Sequence, residues 1–212
     1  AQKVELTTRH AGQPDSTGVR WESEGEGEYT INAIDGLDRG TTITLHLREE
    51  EDEFSQAYRL RSIISRYSDH ISLPIEMPSE DKEKNGEWES INSGSALWSR
   101  AKSEITEDEY TRFYQTLTYD SENPLATLHN RVEGTLEYTS LFFIPKKAPF
   151  DLWDREQRHG INLYVRRIFI MDDSKHLMPS YLRFVRGVVD AADLPLNVSR
   201  EFLQNNKSID RI

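Results

Sequence analysis

The residues best placed for chemistry lie near the end of the chain, in Ser199-Arg200-Glu201-Phe202-Leu203-Gln204. Ser is a preferred N-cap residue, so the pattern predicts a final helix starting at Ser199. The first turn of a helix carries unpaired amides and the positive end of the helix dipole, which together favour an anion. Arg200 falls in that turn, and Gln204 lies four residues on, over the same face. A fixed guanidinium beside a side-chain amide suits a terminal phosphate and the charge that develops as it is transferred. The same spacing fits an exposed arginine with a surface partner, and spacing alone does not separate the two.

A second candidate is Arg39-Gly40-Thr41, where glycine relieves the backbone ahead of a strand and the Thr41 hydroxyl could touch a phosphate or an ordering water. It reads equally as a plain turn into a strand. Neither the G-x-x-x-x-G-K-[ST] loop nor the G-x-G-x-x-G fingerprint occurs. His10, His46, His70, His129, His159 and His176 show no ligand spacing, which argues against a metal centre. No G-x-S-x-G elbow is present, and Asp172-Asp173 reads as a turn after a strand. Arg166 and Arg167 fall in a segment read as one strand, Asn162 to Ile170, so alternation sends them to opposite faces and away from a common pocket. Phe150, Leu152 and Trp153 sit in a proline-bracketed loop, and Trp98 follows a charged stretch; each would be a binding surface if exposed and core if not.

The elements that must position these residues fall into two groups. Lys3–Arg9, Gly18–Glu22, Tyr29–Ile34 and Thr42–Leu47 read as four sequential strands, an antiparallel meander with one buried face. A helix follows, with Phe54, Ala57, Tyr58, Leu60, Ile63, Ile64 and Tyr67 as its apolar stripe and the run Glu49 to Glu53 at its start. A short strand at Ile71–Met77 precedes Pro78 to Glu87, a stretch without apolar side chains apart from the proline, read as a linker at 79–87. Thr106-Glu107-Asp108-Glu109 is a capping box opening a helix through Tyr110, Phe113, Tyr114 and Leu117. Strands are predicted at Thr127–Val132, Glu137–Ile144 and Asn162–Ile170, while Tyr181–Asp190 fits helix or strand.

With 212 residues, 36% hydrophobic and 30% charged, the chain has core material for one large or two small domains. The formal net charge of −11 argues against wrapping nucleic acid. Absence of cysteine removes disulfides and thiolate metal sites. No apolar run approaches the ~18 residues of a membrane span. The start, Ala1-Gln2-Lys3-Val4, has no initiator Met and enters a strand pattern at once, as expected of a chain cut within a domain.

Several long segments resemble the ninety-kilodalton heat-shock chaperone family, most closely its bacterial branch. They are Trp98-Ser99-Arg100 with Ile105 to Tyr110, Leu141 to Leu152, Leu163 to Asp173, Phe184 to Asp190, and Asp193 to Glu201. Arg39-Gly40-Thr41 and Tyr67-Ser68-Asp69-His70 match as well, so the resemblance covers essentially the whole chain. It implies an α+β and α/β organisation. Residues 1–78 would be the carboxy-terminal part of a nucleotide-binding domain of the gyrase and histidine-kinase type, a partial antiparallel sheet with a helix. Residues 79–87 would be a charged linker, and 88–212 the first part of an α/β/α layered middle domain.

The family's S-R-E-x-x-x-Q motif falls on Ser199, Arg200, Glu201 and Gln204, which implies that Arg200 contacts the γ-phosphate of ATP. The Gly-Thr motif of the nucleotide domain falls on Gly40 and Thr41, and positions linked to client contact or domain communication fall on Trp98 and Phe150. The implied parent is a cytoplasmic, homodimeric chaperone using ATP with Mg and acting on unfolded or partly folded client proteins, with no role for nucleic acid or membrane. The family's catalytic Glu, adenine-binding Asp and glycine-rich lid precede the segment present, so this chain alone is expected to bind no ATP and to be inactive. Two rivals are an interaction module for client or co-chaperone, and a gyrase or mismatch-repair subunit. The latter supplies Lys where this chain has Arg200, and the net acidity disfavours a DNA clamp.

Overall fold

The computed structural model describes residues 1–12, 14, 17–80, 86–134, 137–148, 160–172 and 177–192. The chain divides into two compact units, Ala1–Arg61 and Ser62–Ile212. Arg200, Gln204 and Phe150 lie outside the described residues.

The first unit is a four-stranded antiparallel sheet of β1 (Lys3–Arg9), β2 (Gly18–Ser23), β3 (Thr30–Ile34) and β4 (Gly40–His46), in the order β3-β2-β1-β4. The expected meander holds for the first three strands only. β4 returns to β1 and pairs with it from Lys3↔His46 to Arg9↔Gly40. Both strands have seven residues and match along their whole length, whereas β3 offers five.

Strict alternation sorts the side chains of this sheet. One face carries the cross-strand row Ile31, Trp21, Leu6 and Ile43. The other carries an ion-pair lattice. Lys3 reaches Glu5 at 2.9 Å and Glu22 at 3.2 Å, Arg20 reaches the same two carboxylates at the same distances, and His46 lies 3.1 Å from Glu5. The lysine contact, more than any other, draws the pKa of Glu5 and of Glu22 below the ordinary value. The expected burial of the apolar face is not found. No apolar side chain of this unit is buried among the described residues, and Ile31 and Ile43 remain 60% and 58% exposed. A single sheet layer has no opposing layer to exclude water from that face.

The acidic run does not form the first turn of the following helix as expected. Glu49–Ser55 is a separate 3-10 segment, Gln56 is extended, and α1 begins at Ala57 and ends at Tyr67. The boundary between the two compact units falls inside this helix. Across that charged stretch β5 (Glu76–Pro78) pairs antiparallel with β6 (Trp88–Ser90).

The core of the second unit is a five-stranded sheet of β7 (Ala126–Val132), β8 (Tyr138–Ile144), β9 (Gly160–Val165), β10 (Ile168–Met171) and β11 (Arg186–Ala191). Its order is β10-β9-β11-β8-β7, antiparallel throughout except for the parallel β9–β11 pair. The ambiguous 181–190 stretch is therefore strand at its end, after a 3-10 turn at Ser180–Leu182. Gly187 has φ +154°, and a Cβ there would meet Leu141 O at 2.2 Å, so glycine lets β11 approach β8.

Helix α2 (Glu107–Thr118) starts at the predicted capping box: Glu109 N–H donates to Thr106 Oγ1, and Thr106 N–H donates to Glu109 Oε2 at 2.8 Å. Its apolar face presents Tyr110, Phe113, Tyr114 and Leu117 to a core containing Leu141, Phe143 and Val188. Ile161, Leu163, Val165 and Val189 belong to a second core cluster. Burial on both faces explains the unbroken apolar run of β8, since alternation marks only strands with one wet face. The whole is a mixed α+β chain with largely antiparallel sheets and few helices.

Candidate functional site

Gly40 and Thr41 open β4 at one end of the first sheet. Gly40 has φ +141°, and a Cβ on it would meet nothing within 4 Å, so the residue serves the backbone turn rather than a close approach. Thr8 Oγ1 donates to Gly40 O at 3.2 Å and lies 2.7 Å from Thr41 Oγ1. The Thr8–Thr41 hydroxyl pair is exposed. Among the described residues no group of three or more His, Asp or Glu side chains is placed to hold a metal ion. The start of β4 thus presents one hydroxyl pair, Thr8 with Thr41, next to the Gly40 carbonyl.

Trp98 is core. It lies in a short 3-10 turn, Leu97–Ser99, and is 1% exposed. The His70 ring meets it edge-on at 4.7 Å, with Tyr164 at 4.8 Å and Phe113 at 5.7 Å. In this position the Trp98 indole packs against neighbouring elements of the second unit. The indole N–H donates to Asp190 Oδ2 at 2.8 Å. The Trp98 carbonyl can only accept, so the 3.0 Å contact from His129 fixes the proton on Nε2. His129 Nδ1 then accepts from the Tyr110 hydroxyl at 2.7 Å. A polar chain therefore runs from α2 through β7 and Trp98 to β11. Beside it, burial pushes the Tyr164 hydroxyl up to about 12, aided by Asp190 and Asp69, so it stays neutral.

Beyond Asp190 this chain reaches a feature that sequence reasoning misread. Residues 162–170 are not one strand: Arg166 and Arg167 form the two-residue turn between β9 and β10, with φ +50° and +68°. Both have the left-handed backbone that type I′ hairpins require, a conformation that costs a non-glycine residue ~1–2 kcal/mol. Consequently both arginines line the same cleft, contrary to the expectation of opposite faces. The turn is fastened from beneath. Arg167 N–H donates to Asp190 Oδ1 at 3.1 Å, Arg166 N–H to Ala191 O at 3.2 Å, and Arg166 Nε to Ala192 O at 3.0 Å. The only signal for it was the short apolar runs Leu163-Tyr164-Val165 and Ile168-Phe169-Ile170 flanking two polar residues.

The Hsp90 protein family model matches residues 78–212, and the chain belongs to that family. It is 57% identical to the chaperone protein HtpG of Hydrogenovibrio crunogenus over 218 residues, 100% of this chain and 35% of that protein. It is 59% identical to HtpG of Cupriavidus taiwanensis, again over all of this chain and 35% of the relative. The HtpG of Nitrosococcus oceani is 62% identical over all of this chain and 34% of its own length. The chain thus spans about a third of the length of the curated relatives it matches.

Proposed function

We propose that the chain is a segment of an ATP-dependent molecular chaperone that binds unfolded or partly folded client proteins. In this reading residues 1–78 are the end of a nucleotide-binding domain, 79–87 a linker and 88–212 the first part of an α/β/α middle domain. Arg200 contacts the γ-phosphate of ATP and Gln204 supports it. The observation that carries the reading is the likeness of the whole of this chain to about a third of chaperone protein HtpG at 57–62% identity, with the Ser199-Arg200-Glu201 and Gln204 motif inside it. The parent is a cytoplasmic homodimer using ATP with Mg. The test is Arg200→Ala in a chain that includes the nucleotide pocket. Turnover should fall while nucleotide affinity stays nearly constant; unchanged turnover refutes the assignment. The 212-residue chain alone should show no micromolar ATP binding in calorimetry.

A second reading, an interaction module without a direct part in hydrolysis, is favoured by the exposed apolar face at Ile31, Ile43 and Leu45. Suppression of client aggregation by the isolated chain, lost on Phe150→Ala, would support it; no suppression would count against it.

A further inference from the structure

The Arg166-Arg167 turn lies at one end of the five-stranded sheet, beside the end of β7 and the start of β8, and closes a cleft of about 390 Å³. Asn-Gly would close the same hairpin without strain. The chain instead places two guanidiniums there and fastens the backbone to Asp190. Among the described residues no hydrogen bond or ion pair engages the Arg167 guanidinium, and Arg166 uses only Nε, leaving both its terminal amino groups. Arg131, the third arginine of the cleft, is occupied by Glu133 at 3.1 Å. Free, oriented guanidinium donors on a fixed backbone are suited to bidentate capture of an oxyanion.

We propose that the Arg166-Arg167 turn is a preorganised binding site for a carboxylate side chain carried on a peptide segment of a partner protein, with Asp190 as its positioning residue. The charges around the cleft select the source of the oxyanion. Glu133, Glu137 and Asp190 offset the three arginines, so a polyphosphate meets repulsion together with attraction. A peptide brings one carboxylate to Arg167 and neutral amides to the rest. The Thr139 hydroxyl and the Ser72 residue in the same lining offer hydrogen-bond partners for those amides. The site does not depend on ATP turnover, so it stands or falls separately from the chaperone reading.

The experiment is fluorescence anisotropy with a labelled hexapeptide carrying a single Glu among neutral residues, its Gln analogue, and pyrophosphate as competitor, all on the full 212-residue chain. The net charge of −11 repels an acidic peptide from the surface at large, so binding reports a local guanidinium contact. The acidic peptide should bind about tenfold or more tightly than its neutral analogue, since charge-assisted bonds are at stake. Arg166→Asn with Arg167→Gly keeps the hairpin in its preferred turn, and should weaken binding by a similar factor without loss of thermal stability. Asp190→Asn should weaken it less, because the turn survives with poorer fastening. Three results overturn the proposal: no binding to the parent chain, equal binding by the Asn-Gly variant or the neutral peptide, or displacement by pyrophosphate at lower concentration than the peptide itself.

Discussion

The indole nitrogen of Trp98 and a carboxylate oxygen of Asp190 meet at 2.8 Å, ninety-two positions apart in sequence. The second oxygen of the same carboxylate accepts the amide of Arg167. One side chain therefore holds both a core tryptophan and a strained hairpin, and neither can shift without the other losing a bond.

Trp98→Phe should keep most of the ring packing while leaving Asp190 Oδ2 without its donor. A cost of about 1–3 kcal/mol is expected, read as a lower urea midpoint with an unchanged m-value. Asp190→Ala loses both bonds. A double-mutant cycle between the two positions should give a coupling of about 0.5–3 kcal/mol. Additive effects would show that the 2.8 Å contact contributes nothing.

Tyr110→Phe removes the hydroxyl that donates to His129 Nδ1, and leaves that buried nitrogen without a partner. The expected loss is about 1–3 kcal/mol of unfolding free energy. A Tyr110→Phe chain as stable as the parent would show that water replaces the hydroxyl.

Glu109 ties the start of α2, and its carboxylate is lowered to about 2, first by the Thr106 backbone amide and then by Arg100. A depressed folded-state value means that this group stabilises the fold above its ordinary value of 4.5, and the contribution is lost as pH falls toward about 2. Glu109→Gln should therefore be less stable than the parent at pH 7, with the difference shrinking below pH 4.5. Thermal unfolding across that range checks it. A difference that grows on acidification contradicts the capping role.

How much of this was legible in sequence depends on the range of the interactions. The capping box at Thr106 and Glu109 is local, and it starts α2 where the pattern put it. The strands at 126–132 and 138–144 likewise appear within a residue of expectation, because hydrophobic runs report burial directly. The pairing of β4 with β1 is set by register between distant segments, which no local pattern encodes. The Arg166-Arg167 turn was hidden because its residues lack the glycine or asparagine by which such turns are recognised. Trp98 reads the same as an anchor or an exposed contact until its neighbours are placed. For the candidate site the residues were visible as types; Asp190 had no signal at all, since its role exists only once β11 lies beside the turn.

The strand order of the first sheet also governs when it can be completed. During synthesis or refolding, β1, β2 and β3 close by neighbouring hairpins, which form fast because the loops are short. The other edge of β1 stays open until β4 arrives, and its partner for Lys3 is His46. The interval between those events leaves a strand carrying Val4 and Leu6 with free backbone donors and acceptors, a state that attracts other chains. The first sheet thus has a vulnerable step of its own, and the late arrival of β4 ends it.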